Sequence, residues 1–163
     1  MTDHPIAPVW DAHSRVLILG SFPSVRSRET GFFYGHPQNR FWRVLALLWE
    51  EEPPVTVEEK IDFLHRRHLA VWDVIASCEI TGSADSSIRN VTPTDIAPII
   101  SGADIRCICT NGGTAASLYR RYQVSAAPAL PHITLPSTSP ANAAWNLNRL
   151  CEAWCEVKKY TDA

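Results

Sequence analysis

Residues 15–24 read RVLILGSFPS, and Val16 to Leu19 form an unbroken apolar run that stops at Gly20 and Pro23. A short apolar run closed by glycine and proline reads as a buried strand that delivers a loop at its carboxyl end. The same pattern recurs at LAVWDVI (Leu69–Ile75), DIRCICT (Asp104–Thr110) and PHITLP (Pro131–Pro136). Helical patterns separate these runs. One starts near Asn39 and continues through RFWRVLALLWE, with apolar residues at i, i+3, i+4 and i+7, until Pro53 and Pro54 end it. TVEEKIDFLHRRH follows, with Thr56 and Glu59 spaced as a capping box. Further helices are expected around Asp95–Ile100, after the NGG turn at Asn111–Gly113, and from about Ala141 to Lys158, while Cys78–Pro93 reads as turn-rich. Strands alternating with helices at this spacing imply an α/β fold. The expectation is a three-layer α/β/α sandwich with a mostly parallel, four-stranded central sheet. Without a repeat or a linker, residues 1–163 are expected to form a single domain.

The composition is that of an ordinary globular chain, and no apolar run is long enough to cross a bilayer. The opening MTDHPIAPVWDAHS lacks the basic and apolar regions of a secretory signal. Five cysteines are an odd number without the spacing of a disulfide scaffold, which points to a reduced, cytoplasmic protein, expected as a monomer with no membrane partner. Cys107 and Cys109 share one strand face, and Cys151 and Cys155 share one helix face. They read as small buried hydrophobes, with a zinc or iron–sulfur site as the alternative, so no metal and no cofactor are expected. A net charge of −2 excludes a broadly basic nucleic-acid binder but leaves room for a local patch, for which Arg26, Arg28, Arg40 and Arg43 are the candidates.

In such folds ligands bind outside the carboxyl ends of the strands. The loops there are GSFPS with the stretch after it, DVIASCEITGSADSS, and LPSTSPAN, and none has the glycine pattern of a dinucleotide or P-loop site. TNGGTAAS could hold an anion at a helix start or be a plain turn. GFFYGHPQNRFW, Gly31–Trp42, is too broken by glycine and proline for a regular element and too aromatic for an idle loop.

Taken in order, LILGSFPSVRSRETGFFYGHPQNRFW, VWDVIASCEITGSADSSI and LPSTSPAN resemble the uracil-DNA glycosylase superfamily, closest to its hypoxanthine (deoxyinosine) DNA glycosylases. The resemblance implies a monofunctional enzyme that hydrolyses the N-glycosidic bond of deaminated bases in DNA, hypoxanthine first. The alternatives are a uracil or xanthine glycosylase on the same scaffold, or a non-catalytic nucleic-acid-binding relative. The chain departs from the uracil-specific pattern twice. Phe22 stands where an Asp or Asn precedes the proline of the first motif, and Leu135 stands where a His stabilises the departing base.

In the hypoxanthine branch the catalytic role belongs to the Asn of HPQN, here Asn39. Glycosidic cleavage is strongly dissociative, so the attacking water needs holding more than deprotonation. The carbonyl of Asn39 could accept from that water while its NH₂ is fixed by a neighbour. Asn39 could equally cap the following helix. Phe22, Phe32, Phe33 and Tyr34 offer faces for a flipped base, Phe33 foremost, with core packing as the other role. Gly20 and Ser21 allow close approach of backbone N–H groups. Asp73 would accept from N1–H of hypoxanthine and reject the bare N1 of adenine, or else cap a turn. Pro136, Ser137, Thr138, Ser139 and Pro140 resemble the loop that enters the minor groove, or form a helix-capping turn. Arg26 and Arg40 are the leading phosphate contacts, with Asp85–Ser87 and Arg89 as further backbone contacts.

Overall fold

The computed structural model describes residues 1–162. In chain order the elements are β1 (Thr2–Asp3), β2 (Val16–Gly20), α1 (Val25–Thr30), α2 (Phe41–Leu48) and α3 (Val57–Arg66). Next come β3 (Leu69–Asp73), β4 (Ile75–Glu79), β5 (Arg89–Pro93) and α4 (Ala97–Gly102). The chain closes with β6 (Cys107–Asn111), α5 (Gly113–Tyr122), β7 (His132–Leu135), α6 (Leu147–Trp154), a 3₁₀ turn and α7 (Lys158–Thr161). The central sheet has the order β3-β2-β6-β7, with every neighbouring pair parallel.

β2 is an inner strand, and Val16 to Leu19 are all fully buried. Its unbroken apolar run follows from being covered on both faces, because each residue then needs an apolar neighbour whichever way it points. Val16 and Ile18 join Val71, Cys107 and Cys109 in a core under α2, α3 and α6, which supply Leu45, Phe63 and Trp154. Leu17 and Leu19 face the opposite side with Ala70, Ile108, Ile96 and Tyr119. Burial of each such aliphatic side chain contributes about 1.5–3 kcal/mol. The two strand-face cysteines are buried, their Sγ atoms 3.9 Å apart, whereas Cys155 is exposed and does not act as a core residue.

The expected strand Leu69–Ile75 is split. Leu69–Asp73 lies in the central sheet, and beyond Val74 the chain enters a second, antiparallel sheet of order β1-β4-β5. The turn-rich stretch therefore holds a hairpin that periodicity did not reveal. In β4 only Ile75 and Cys78 are buried, against Phe22, so the strand rests on main-chain pairing rather than on an alternating apolar face. α1 was also unexpected; Ser24 caps its first turn and Gly31, at φ 80°, ends it. The last long helix begins at Leu147 rather than Ala141, with Asn146 accepting from Arg149 N–H as its cap. Carbonyls of Ser139, Asn142 and Trp145 are instead drawn to the Arg40 guanidinium, which holds this segment out of a helix. The capping box forms as read, Thr56 and Glu59 each accepting the other's N–H at 3.1 and 3.0 Å. Among the described residues no helix is long and apolar enough to cross a membrane.

Candidate active site

The parallel register aligns Gly20 with Asp73, and Asn111 with Leu135, so these strand ends share one edge of the sheet. A cavity of about 270 Å³ opens there between Gly20, Phe22, Phe33, Tyr34, Asn39, Asp73, Asn111 and the Ser137–Ser139 turn.

One wall is a chain of hydrogen bonds with a fixed sense. Phe41 N–H donates to Asn39 Oδ1 at 2.9 Å, so that atom must be the oxygen. Thr138 N–H donates to Asn111 Oδ1 at 3.1 Å, which turns Asn111 Nδ2 toward Thr138 Oγ1 at 3.0 Å. With its acceptor side engaged, the Thr138 hydroxyl donates to Asn39 Oδ1 at 2.8 Å. Both lone pairs of the Asn39 carbonyl are thereby used, and Nδ2 has no hydrogen bond among the described residues. Its NH₂, not its carbonyl, is the free end. The water-holding carbonyl expected from the sequence is thus already occupied by protein donors. The helix-capping reading survives in altered form, since Arg40 is the cap residue of α2 and Asn39 serves Phe41 N–H from one position earlier.

The other wall meets at Gly20. A Cβ there would lie 2.4 Å from Asp73 Oδ1 and 3.0 Å from the Tyr34 hydroxyl, so any larger residue would have to displace one of them. Asp73 is 3% exposed; its Oδ2 is bound by His4 Nε2 at 2.7 Å, and its Oδ1 has no partner among the described residues. Tyr34 sits at φ 53°, an uncommon backbone state for an aromatic residue, and its ring stacks on Phe41 at 3.9 Å. Its hydroxyl is buried with no hydrogen bond of ordinary geometry; burial, then the charge of Asp73, pushes its proton affinity far above the ordinary range, and the nearby Asn111 amide draws it partly back.

Apart from His4, this geometry lies within a segment, residues 7–158, that matches the family model described as the uracil DNA glycosylase superfamily. The chain belongs to that superfamily. It is 32% identical over 151 residues to a hypoxanthine DNA glycosylase of Methanosarcina acetivorans, covering 88% of this chain and 90% of that protein. A hypoxanthine DNA glycosylase of Methanosarcina barkeri is 33% identical over 84 residues, about half of each chain (51% and 53%). The solution NMR structure of a candidate uracil DNA glycosylase from Methanosarcina acetivorans superposes with a TM-score of 0.82 at 30% identity, covering 97% of both chains. With membership comes DNA-glycosylase chemistry.

The remaining predicted residues divide between the cavity and its supports. Phe22 lines the cavity edge-on to His4 at 5.9 Å, and Phe33 lines it while 2% exposed. Leu135, in the place of the uracil-specific enzymes' histidine, is buried in the core and offers no polar group. Ser21 Oγ donates to Asp85 Oδ1 at 3.1 Å, and burial raises the Asp85 carboxyl above its usual range. Thr138 is fully buried, so within the predicted groove-entering loop its side chain ties the two motifs together rather than facing outward. Ser137 and Ser139 hydroxyls accept from the N–H groups of Ser139 and Ala141, Pro136 O accepts from Trp154 Nε1, and Pro140 is exposed. Arg40, expected on phosphate, spends its donors on the carbonyls of Thr138, Ser139, Asn142 and Trp145. Arg28 binds Gly82 O and lies over Phe22, which leaves Arg26 and Arg43 exposed.

Two participants, Asn111 and His4, were not named from the sequence, and a third, Tyr34, was named only as one of four aromatic faces. Asn111 carried a usable signal, being the polar residue at the carboxyl end of an apolar strand. Tyr34 was one aromatic among several, and only its backbone angle and orphaned hydroxyl distinguish it. His4 carried none, because its contact spans 69 residues of sequence.

Proposed function

We propose that the protein is a monofunctional DNA glycosylase that releases hypoxanthine from deoxyinosine in DNA and leaves an abasic site. The observation that carries this reading is the bare oxygen of Asp73, a buried acceptor held at the rim of the cavity. A lactam N–H satisfies it. Adenine, with a lone pair at N1, would set two acceptors face to face and leave a buried group unpaired, the kind of mismatch that discriminates strongly. The names of the two Methanosarcina relatives agree with that choice.

The free Asn39 NH₂ fits a donor role. As the glycosidic bond opens, the sugar becomes cationic and electron density moves onto the base. A preorganised amide N–H aimed at that base lowers the barrier by stabilising the charge where it develops. Aromatic walls at Phe22, Phe33 and Tyr34 give an extruded base apolar faces to lie against. No lysine lines the cavity among the described residues, so an imine route to strand cleavage has no nucleophile there.

Uracil and xanthine also present a ring N–H, which keeps the uracil/xanthine reading as the alternative. The test is single-turnover release of free base from duplexes that carry one deoxyinosine, deoxyuridine or deoxyxanthosine. Release of hypoxanthine should lead by tenfold or more, about 1.4 kcal/mol of barrier, leaving an alkali-labile but uncut strand. Preference for uracil would transfer the protein to the alternative reading. Release of no base would leave it a non-catalytic relative.

A further inference from the structure

His4 lies outside the segment matched by the family model, which begins at residue 7. It nonetheless reaches into the site. Its Nε2 is 2.7 Å from Asp73 Oδ2, with side chains only 4% and 5% exposed. The other ring nitrogen, Nδ1, receives the N–H of Ile6 at 3.1 Å. A backbone N–H can only donate, so Nδ1 carries no proton. The ring is therefore neutral, its one proton sits on Nε2, and that proton points at Asp73. Each nitrogen has a partner that a ring carbon could not serve, so the ring orientation is fixed as well.

The rest of the ring's surroundings are aromatic, with Phe22, Phe33 and Trp72 centroids at 5.9, 6.0 and 6.5 Å. The segment is held down by pairing of Thr2 with Cys78 and Asp3 with Ser77, and by His4 N–H on Ala76 O at 2.8 Å. A histidine outside the matched segment is thus built into the wall that carries the bare oxygen.

We propose that His4 is a positioning residue for base recognition. As a neutral Nε2–H donor it pins Oδ2 of Asp73 and keeps Oδ1 turned to the cavity as an acceptor for the lactam N–H of the base. The donor's neutrality matters. A lysine or arginine would cancel the carboxylate's charge and weaken it as an acceptor, whereas a neutral imidazole orients it and leaves the charge in place. Without the pin, the carboxylate turns about its own bond, and neither oxygen has a fixed address. The ligand class rests on the function proposed above; the tautomer and the pin do not.

Two measurements test this. In ¹⁵N-histidine-labelled full-length protein, two-bond ¹H–¹⁵N spectra at neutral pH should give His4 the Nε2–H pattern. An imidazolium or the Nδ1–H tautomer would overturn the proposal. In single-turnover assays on deoxyinosine duplex, His4→Ala should lower the rate of base release by tenfold or more. Its affinity for abasic-site DNA, which offers no base to recognise, should be unchanged. His4→Gln, whose amide nitrogen reaches about as far as Nε2, should restore most of the loss. A merely structural histidine would lower the melting temperature in both variants and leave the rate of the folded protein intact, and that outcome would also overturn the proposal. If wild-type protein released no base, the proposed function would fail. The positioning would then be judged by the tautomer and by whether His4→Ala abolishes the shifts that free hypoxanthine causes in resonances of the site.

Discussion

On the Asn39 wall of the cavity every polar atom but one has a partner whose role cannot be exchanged. Phe41 N–H and Thr138 N–H set the direction of each bond between them. On the Asp73 wall, by contrast, Gly20 lies beside a cavity-lining carboxylate whose Oδ1 has no hydrogen bond among the described residues and beside the buried, unpartnered Tyr34 hydroxyl. The first wall is complete without ligand and delivers one donor with little freedom; the second is complete only when something fills it. Under the proposed function, that difference fits separate tasks for the walls, assisting departure of the base at Asn39 and recognising it at Asp73.

Substitution at Asn39 would break the comparison most sharply. Asn39→Ala should slow base release by about 10²-fold or more, at least ~2.7 kcal/mol, the range for one preorganised donor. It should also lose about 1–3 kcal/mol of stability, because two donors lose their acceptor. Asn39→Asp keeps an oxygen for Phe41 and Thr138 but removes the NH₂, so it should melt near wild type and still be slow. Measured by single-turnover release beside thermal melting, an active Asn39→Asp protein would return the role to an acceptor that holds water.

Gly20→Ala probes the other wall with one methyl group. Its Cβ would press on Asp73 Oδ1 at 2.4 Å and on the Tyr34 hydroxyl at 3.0 Å. Overpacking of this kind costs about 1–3 kcal/mol, and displacement of Asp73 should lower release of hypoxanthine by about tenfold while abasic-site binding persists. Full activity would mean that the Asp73 corner does not contact the base. The smallest effect concerns neither wall. With Arg28 and Arg40 engaged inside the protein, the exposed Arg26 and Arg43 remain of the four arginines in the motif region. Two phosphate contacts give a log–log salt slope of about −2 on duplex DNA, and Arg26→Ala should flatten it by about 0.9. A slope of zero in a fluorescence titration would argue for a free nucleoside as substrate.

What the sequence made legible follows the same division. The apolar runs at Val16, Leu69 and Asp104 announced the parallel sheet, since strands buried on both faces show themselves by hydrophobicity alone. Asn39, Asp73 and Gly20 stood at strand ends or in motif loops, where position itself is informative. β4 and β5 stayed hidden because backbone pairing leaves no periodic trace when few side chains are buried. Arg40 and Thr138 were read as surface groups because residue type suggests charge or wedge, whereas their partners lie about a hundred residues away (|i−j| 98 to 105). His4 was invisible for the same reason.

The Arg40 clamp has a consequence for how the protein meets its target. One guanidinium gathers four carbonyls between Thr138 and Trp145, so this turn is already in shape before any ligand arrives. Ordering a free loop at an interface takes about 0.5–1.5 kcal/mol for each immobilised side chain, and here that entropy is lost during folding instead. Association should therefore proceed as the docking of a rigid probe, with little heat-capacity change from the protein side. If this turn is the one that enters the groove, as the resemblance implies, the deformation needed to bring a base into the cavity falls to the nucleic acid. A base that is already loosely paired is the easier one to extract, and the stiffness of a turn becomes a filter for damaged positions.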